Sequence, residues 1–136
     1  MNETGNLKIT VEVDVNPTED PGKVQVAVQK VLGDFHLDKI DDEDRTRLVG
    51  SAEGLESLSA FHELLRKERI LDAARRVLFK GLRGNTVTFY LNKQVAYVGH
   101  ISFSQSEGES PLGPIRVEVH CDRPKELIYW LAPKTA

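Results

Sequence analysis

The chain has 136 residues, with 18 Lys and Arg against 21 Asp and Glu, and a single cysteine, Cys121. One domain over residues 1–136 suits that length, and a chain of this size buries roughly two-thirds of its unfolded surface without needing a disulfide or a metal. A lone cysteine excludes an internal disulfide and a cysteine-based zinc site within the chain. No apolar run reaches the roughly 18 residues of a membrane-spanning helix, and Met1 to Gly5 lacks a basic-then-apolar leader. The expectation is a cytoplasmic protein with no membrane partner.

Leu7 to Val15 alternates: Leu7, Ile9, Val11, Val13 and Val15 face one way, and Lys8, Thr10, Glu12 and Asp14 the other. Period two with one polar side predicts a half-buried strand. Asn16-Pro17 breaks it. Thr18-Glu19-Asp20-Pro21 reads as a helix start, with Thr18 or Asp20 as the cap and proline in the first turn. Val24, Ala27, Val28, Val31 and Leu32 follow at helical spacing, and Gly33 ends the run. Phe35, Leu37 and Ile40 suggest a short strand. Asp41-Asp42-Glu43-Asp44 reads as an acidic turn, and Arg47 to Ala52 as another strand.

Leu55, Leu58, Phe61, Leu64 and Leu65 form an amphipathic stripe that meets Glu68 and Arg69 where apolar residues are due. The stripe restarts at Ile70, Ala73, Ala74, Val77 and Leu78. This predicts two helices, or one bent helix, with the break near Lys67–Ile70. Gly81 and Gly84 close the segment. Val87, Phe89 and Leu91 alternate with Thr86, Thr88 and Tyr90 as a strand, and Asn92-Lys93-Gln94 turns the chain. Val98 to Ser104 predicts a further strand, with Gly99 as a bulge. A loop spans Gln105 to Pro114. Ile115 to His120 is the last strand, and Asp122-Arg123-Pro124 starts a helix carrying Leu127, Ile128 and Leu131. The order predicts an α+β fold: an antiparallel or mixed β-sheet with helices packed on one face.

Charge is unevenly spread. Residues 1–60 hold six Lys and Arg against thirteen acids, a net of −7, while residues 61–136 hold twelve against eight, a net of +4. Within residues 66–93, eight cations face only Glu68 and Asp72, a net of +6. Such asymmetry points to a polyanion partner, or to a solvated helix face beside an acidic half.

Arg66 to Arg76, Arg83 to Gln94 and Gly108 to Ile115, in that order, resemble an archaeal group, uncharacterised protein family 0201. The Asn16–Pro21 segment fits the same pattern. The resemblance spans nearly the whole chain. It implies a fold similar to the large-subunit ribosomal protein that binds five-S ribosomal RNA, and grouping with RNA-binding proteins. It carries over no catalytic or binding residue.

RNA recognition needs cations aimed at phosphates, with amide and aromatic groups near bases. Arg66, Lys67 and Arg69 sit at the helix break, and Arg75, Arg76 and Lys80 follow on the next helix. Arg83, Asn85 and Lys93 flank a strand at its two ends. These nine residues are the expected RNA-contact surface, although Arg83-Gly84-Asn85 also suits a plain turn and Lys93 a pair with an acid. The alternative is a protein-interaction module, binding itself or another protein through Tyr129, Trp130 and the acid-rich residues 38–44. His100, His120 and Cys121 could be neighbours, yet no HExxH, CxxC or phosphate-loop spacing occurs. Adjacent His120 and Cys121 should point to opposite faces of their strand. No enzyme, metal site or cofactor is expected.

Overall fold

The structure, a computed structural model, describes residues 6–105 and 112–134. The alternation at Leu7–Val15 becomes β1, whose five odd-numbered residues are all buried. It runs antiparallel between β3 (Thr46–Glu53) and β7 (Pro114–Cys121). Val11 lies opposite Gly50 on one side and Val117 on the other, so the buried positions of three strands share one face. Outside β3 comes β2 (Asp38–Asp41), and outside β7 comes β5 (Thr86–Asn92). The outer edge of β5 is shared by β4 (Leu82–Arg83) at one end and β6 (Phe103–Ser104) at the other. Every pairing is antiparallel.

Five helices supply the other layer: α1 (Pro21–Leu32), α2 (Ser59–Lys67), α3 (Leu71–Lys80), α4 (Lys93–Tyr97) and α5 (Pro124–Leu131). Asp20 is the cap of α1, its Oδ1 accepting from the Gly22 N–H at 3.0 Å. Gly33, at φ +88°, takes the left-handed turn that ends the helix. Leu55–Leu58 forms a tighter 3-10 turn before α2 begins. Val28, Phe61, Leu65, Leu78 and Ile128 are fully buried, as are Ile9, Val117 and Val119 on the sheet. Phe61 of α2 stacks on Phe89 of β5, with ring centroids 5.3 Å apart. Such a pair contributes about 1 kcal/mol beyond the area it buries.

Gly81 carries the chain from α3 into β4. A Cβ there would meet the Thr88 carbonyl oxygen at 1.9 Å, and the Thr88 N–H donates to the Gly81 carbonyl at 3.0 Å. No side chain fits where β5 comes so close.

One expected strand is corrected. Of residues 98–104 only Phe103–Ser104 pairs. The turn at Asn92 continues into α4, with Asn92 Oδ1 accepting from the Val95 N–H at 2.9 Å. Gly99, at φ +86°, ends that turn rather than bulging a strand, and Val98 beside it is 63% exposed. Of the segment's side chains only Ile101 is buried, with Phe103 packed edge-on to Phe89. Residues 106–111 of the expected 105–114 loop lie outside the described residues. No helix among the described residues is long and apolar enough to cross a membrane.

Candidate nucleic-acid interface

The basic window runs from α2 through α3, β4 and β5 to the start of α4, and its cations meet two fates. Some become part of the fold. The last carbonyls of a helix have no partner within it and need donors from elsewhere. At the end of α5 those donors are arginines from two other helices. Arg66 donates to the carbonyls of Trp130 at 3.2 Å and Leu131 at 3.4 Å. Arg75 donates to the Ala132 carbonyl at 3.2 Å and to Asp72 at 2.8 Å. Arg83 does the same for α3, donating to the Lys80 carbonyl at 2.9 Å.

Lys93 departs most from the expected contact surface. It is 3% exposed. Its ammonium donates to the carbonyls of Asp14 at 2.8 Å and Leu112 at 2.7 Å and to Glu19 Oε1 at 2.9 Å. The three acceptors match its three donors, so it joins β1, the start of α1 and the approach to β7 instead of facing a partner. Burial pushes Glu19 up, but hydrogen bonds from Asn16 and Lys93 outweigh it and hold the carboxyl below its ordinary value.

The second group faces solvent with no acid attached. Lys67, Arg69, Arg76 and Lys80 are exposed, and among the described residues none has a carboxylate within 4.0 Å. Glu68, between Lys67 and Arg69, turns the other way. Its carboxylate lies 3.0 Å from His100 Nδ1 and accepts from the Ile101 N–H at 3.3 Å. The hydrogen bond from His100 is the main reason its pKa falls below the ordinary value. Arg69 has φ +58°, the only positive φ among the described non-glycine residues. It occupies the slot after α2 that glycine or asparagine normally fills, a conformation costing an L-residue roughly 1–2 kcal/mol. Such local strain often marks a functional position.

Asn85, the one uncharged member of the expected surface, is exposed at the β4–β5 hairpin and borders a depression that also contains Lys8, Glu53, Glu56, His120 and Asp122. That places it at the end of the sheet in a setting with more acids than cations.

Two aromatic contacts that sequence reasoning did not see tie α5 to α2 and α3. The rings of His62 and Trp130 stack at 4.1 Å, and Phe79 meets Tyr129 edge-on at 5.5 Å. Burial, then the nearby Arg66 guanidinium, hold His62 below the ordinary histidine value, so its ring acts as a packing surface. Lys134 Nζ lies 5.9 Å from the centre of the Tyr129 ring. Arg75, Arg76, Phe79, Lys80 and Tyr129 line a shallow depression of about 470 Å³. The available signal was Phe79 standing just off the apolar stripe of its helix.

The uncovered face of the sheet is different. Glu12 takes a hydrogen bond from Arg47, and Arg45 lies 3.8 Å from Asp14. Glu118 takes Arg116 at 2.7 Å and His120 at 2.9 Å. Burial raises Glu118, but these partners outweigh it and leave the carboxyl below its ordinary value. His100 and His120, expected as possible neighbours, bind different partners, Glu68 and Glu118. Cys121 is buried, and burial pushes its thiol up, away from the reactive thiolate. No three His, Cys, Asp or Glu among the described residues gather as a metal site.

A family model described as RNA binding matches residues 8–121. The UPF0201 protein of Sulfurisphaera tokodaii is 52% identical over 130 residues, covering 95% of this chain and 89% of its own. That of Metallosphaera sedula is 44% identical over 129 residues, covering 95% and 90%. The crystal structure of a UPF0201 protein from Methanococcus jannaschii matches with a TM-score of 0.83 at 35% identity, covering 95% of both chains. A DUF54 protein from Methanothermobacter thermautotrophicus, 16% identical with a TM-score of 0.57 over 89% of this chain and 90% of its own, shares the fold alone. These matches do not carry the expected likeness to the five-S-RNA-binding ribosomal protein. They do fix the family: the chain belongs to the RNA-binding family that the model describes, among the archaeal UPF0201 proteins.

Proposed function

We propose that the chain binds RNA by electrostatics and shape through the outer surface of α2, α3 and the end of α5. The observation that carries this reading is the set Lys67, Arg69, Arg76 and Lys80, exposed on two consecutive helices and the turn between them, with no carboxylate partner among the described residues. Cations held only by water and counterions release those counterions when they meet phosphate, and that release drives sequence-independent binding. Arg66, Arg75 and Arg83 contribute positive field while their donors hold the helix ends. Lys93 and Asn85 are left out of the surface, one by burial and the other by its place among acids. The family's description as RNA binding agrees with this choice of partner.

The test is binding of the nucleic-acid-free protein to a labelled structured RNA across a salt series. The wild type should show a linear fall of log affinity with log salt. An Arg76→Ala, Lys80→Ala variant should lower that slope by about two, one for each lost phosphate contact. Its melting temperature should stay near that of the wild type, since both side chains are exposed. An unchanged slope in a folded variant would remove this surface from the RNA reading.

A further inference from the structure

Tyr129 is 42% exposed on α5, yet its backbone is well fixed. The carbonyls of the next three residues are all held by arginine: Trp130 and Leu131 by Arg66, and Ala132 by Arg75. The edge contact with Phe79 at an interplanar angle of 64° sets the ring's tilt. The neighbouring Trp130 is a useful control, because its ring is already stacked on His62. The phenol borders a depression with Arg75, Arg76 and Lys80, and Lys134 Nζ lies 5.9 Å from the centre of its ring. Arg76 and Lys80 stand one helical turn apart, about 6 Å along the axis.

A plain amphipathic tyrosine would account for the Phe79 contact. It would not account for a half-exposed ring that shares a depression with three cations and has a fourth near its centre. That combination suits a nucleotide whose base is free to leave its own stack. The base lies on the aromatic face while the flanking phosphates meet the cations. A continuous duplex keeps its bases stacked inside and offers nothing to the ring.

We propose that Tyr129, set by Phe79, is a stacking platform for one unpaired RNA base, with Arg76, Lys80 and Lys134 on the adjoining phosphates, so that the preferred partner is RNA with an unpaired loop, bulge or end. This inference rests on the RNA reading of the α3 surface. The two can be separated by fluorescence anisotropy with two labelled probes: a short RNA hairpin with a single-stranded loop, and the blunt duplex of its stem. The wild type should prefer the hairpin. Tyr129→Ala should weaken hairpin binding about ten-fold while leaving the duplex unchanged, and Tyr129→Phe should bind the hairpin like the wild type. Arg76→Ala, Lys80→Ala should weaken both probes.

If Tyr129→Ala binds the hairpin normally while the charge variant weakens it, the platform is overturned and the RNA surface stands. If neither variant loses affinity, both readings fall. Equal losses of Tyr129→Ala on both probes, or a Tyr129→Phe as weak as the alanine, also overturn the platform. Circular dichroism and thermal melting of each variant identify any loss due to unfolding, and Tyr129→Leu, which keeps an apolar side chain against Phe79 but has no ring to stack, replaces the alanine if that fails to fold, with the same loss expected on the hairpin alone.

Discussion

The two faces of this molecule handle positive charge in opposite ways. On the uncovered face of the sheet, Arg45, Arg47, Arg116 and His120 each lie against Glu12, Asp14 or Glu118. On the helix side, Lys67, Arg69, Arg76 and Lys80 have no acid partner among the described residues. Strand geometry explains part of the difference. Residues two apart on one strand, or opposite each other on paired strands, sit on the same face, so a cation on a polar sheet face finds a carboxylate nearby. Helices α2 and α3 and the turn between them carry few acids, and two of these, Glu68 and Asp72, are occupied by His100 and Arg75. The number of cations in a stretch of sequence is therefore a poor guide to binding. What matters is which of them already have partners.

The comparison is broken most strongly at Lys93, which belongs to neither face. Lys93→Ala leaves the Asp14 and Leu112 carbonyls and the Glu19 carboxylate without their donor. Removing one member of a buried pair costs about 3 kcal/mol or more. Urea unfolding should show that loss, while the salt slope of RNA binding by the still-folded fraction should match the wild type. A reduced slope would mean that the lysine reaches phosphate after all.

Glu118 tests the sheet face. Glu118→Gln weakens its hold on Arg116 and His120 and should cost about 1 kcal/mol of stability without weakening RNA binding. The folded pKa of Glu118 is depressed below the ordinary glutamate value, as is that of Glu19. Their contribution is therefore present above the ordinary glutamate value and is lost as pH falls through the lower folded values. Unfolding free energy should drop over that acidic window, and less steeply in Glu118→Gln. An RNA affinity that falls in this variant at neutral pH would place the ligand on the sheet instead.

The smallest effect is expected at Arg69. Arg69→Gly removes the strain of the left-handed slot while giving the unfolded chain more freedom, so stability should hold or rise by up to about 1 kcal/mol. RNA affinity should nevertheless fall, with a salt slope lower by about one. A more stable protein that binds less well would show that arginine stands there for its charge. Equal binding would leave its strained backbone without an account.

Much of the fold was legible because it follows short periods. The alternation of β1, β5 and β7 and the helix break at Glu68–Arg69 are local patterns, and antiparallel strands with one wet face write them clearly. Residues 98–104 misled because β-branched and aromatic residues suit strands only where something packs on them, and Val98 is left in solvent. The site was legible in part. Arg76 and Lys80 stand exposed on α3, the helix expected for them, but the carbonyls that fix Arg66 and Arg75 lie at the end of a helix more than fifty residues away in sequence. The burial of Lys93 likewise depends on acceptors at 14, 19 and 112, which no local pattern brings together.

The edges of the sheet have a consequence for the protein's life at high concentration. An open sheet ends in unpaired backbone groups that can recruit a strand from another molecule. Here one border is β2, only four residues long, with Asp38, Lys39 and Asp41 exposed. The other is divided between two strands of two residues each. Among the described residues neither border offers a long apolar ribbon, and bringing two β2 strands together would crowd aspartates. The sheet thus resists extending itself into a fibre, so the molecule can keep both faces open without stacking edge to edge.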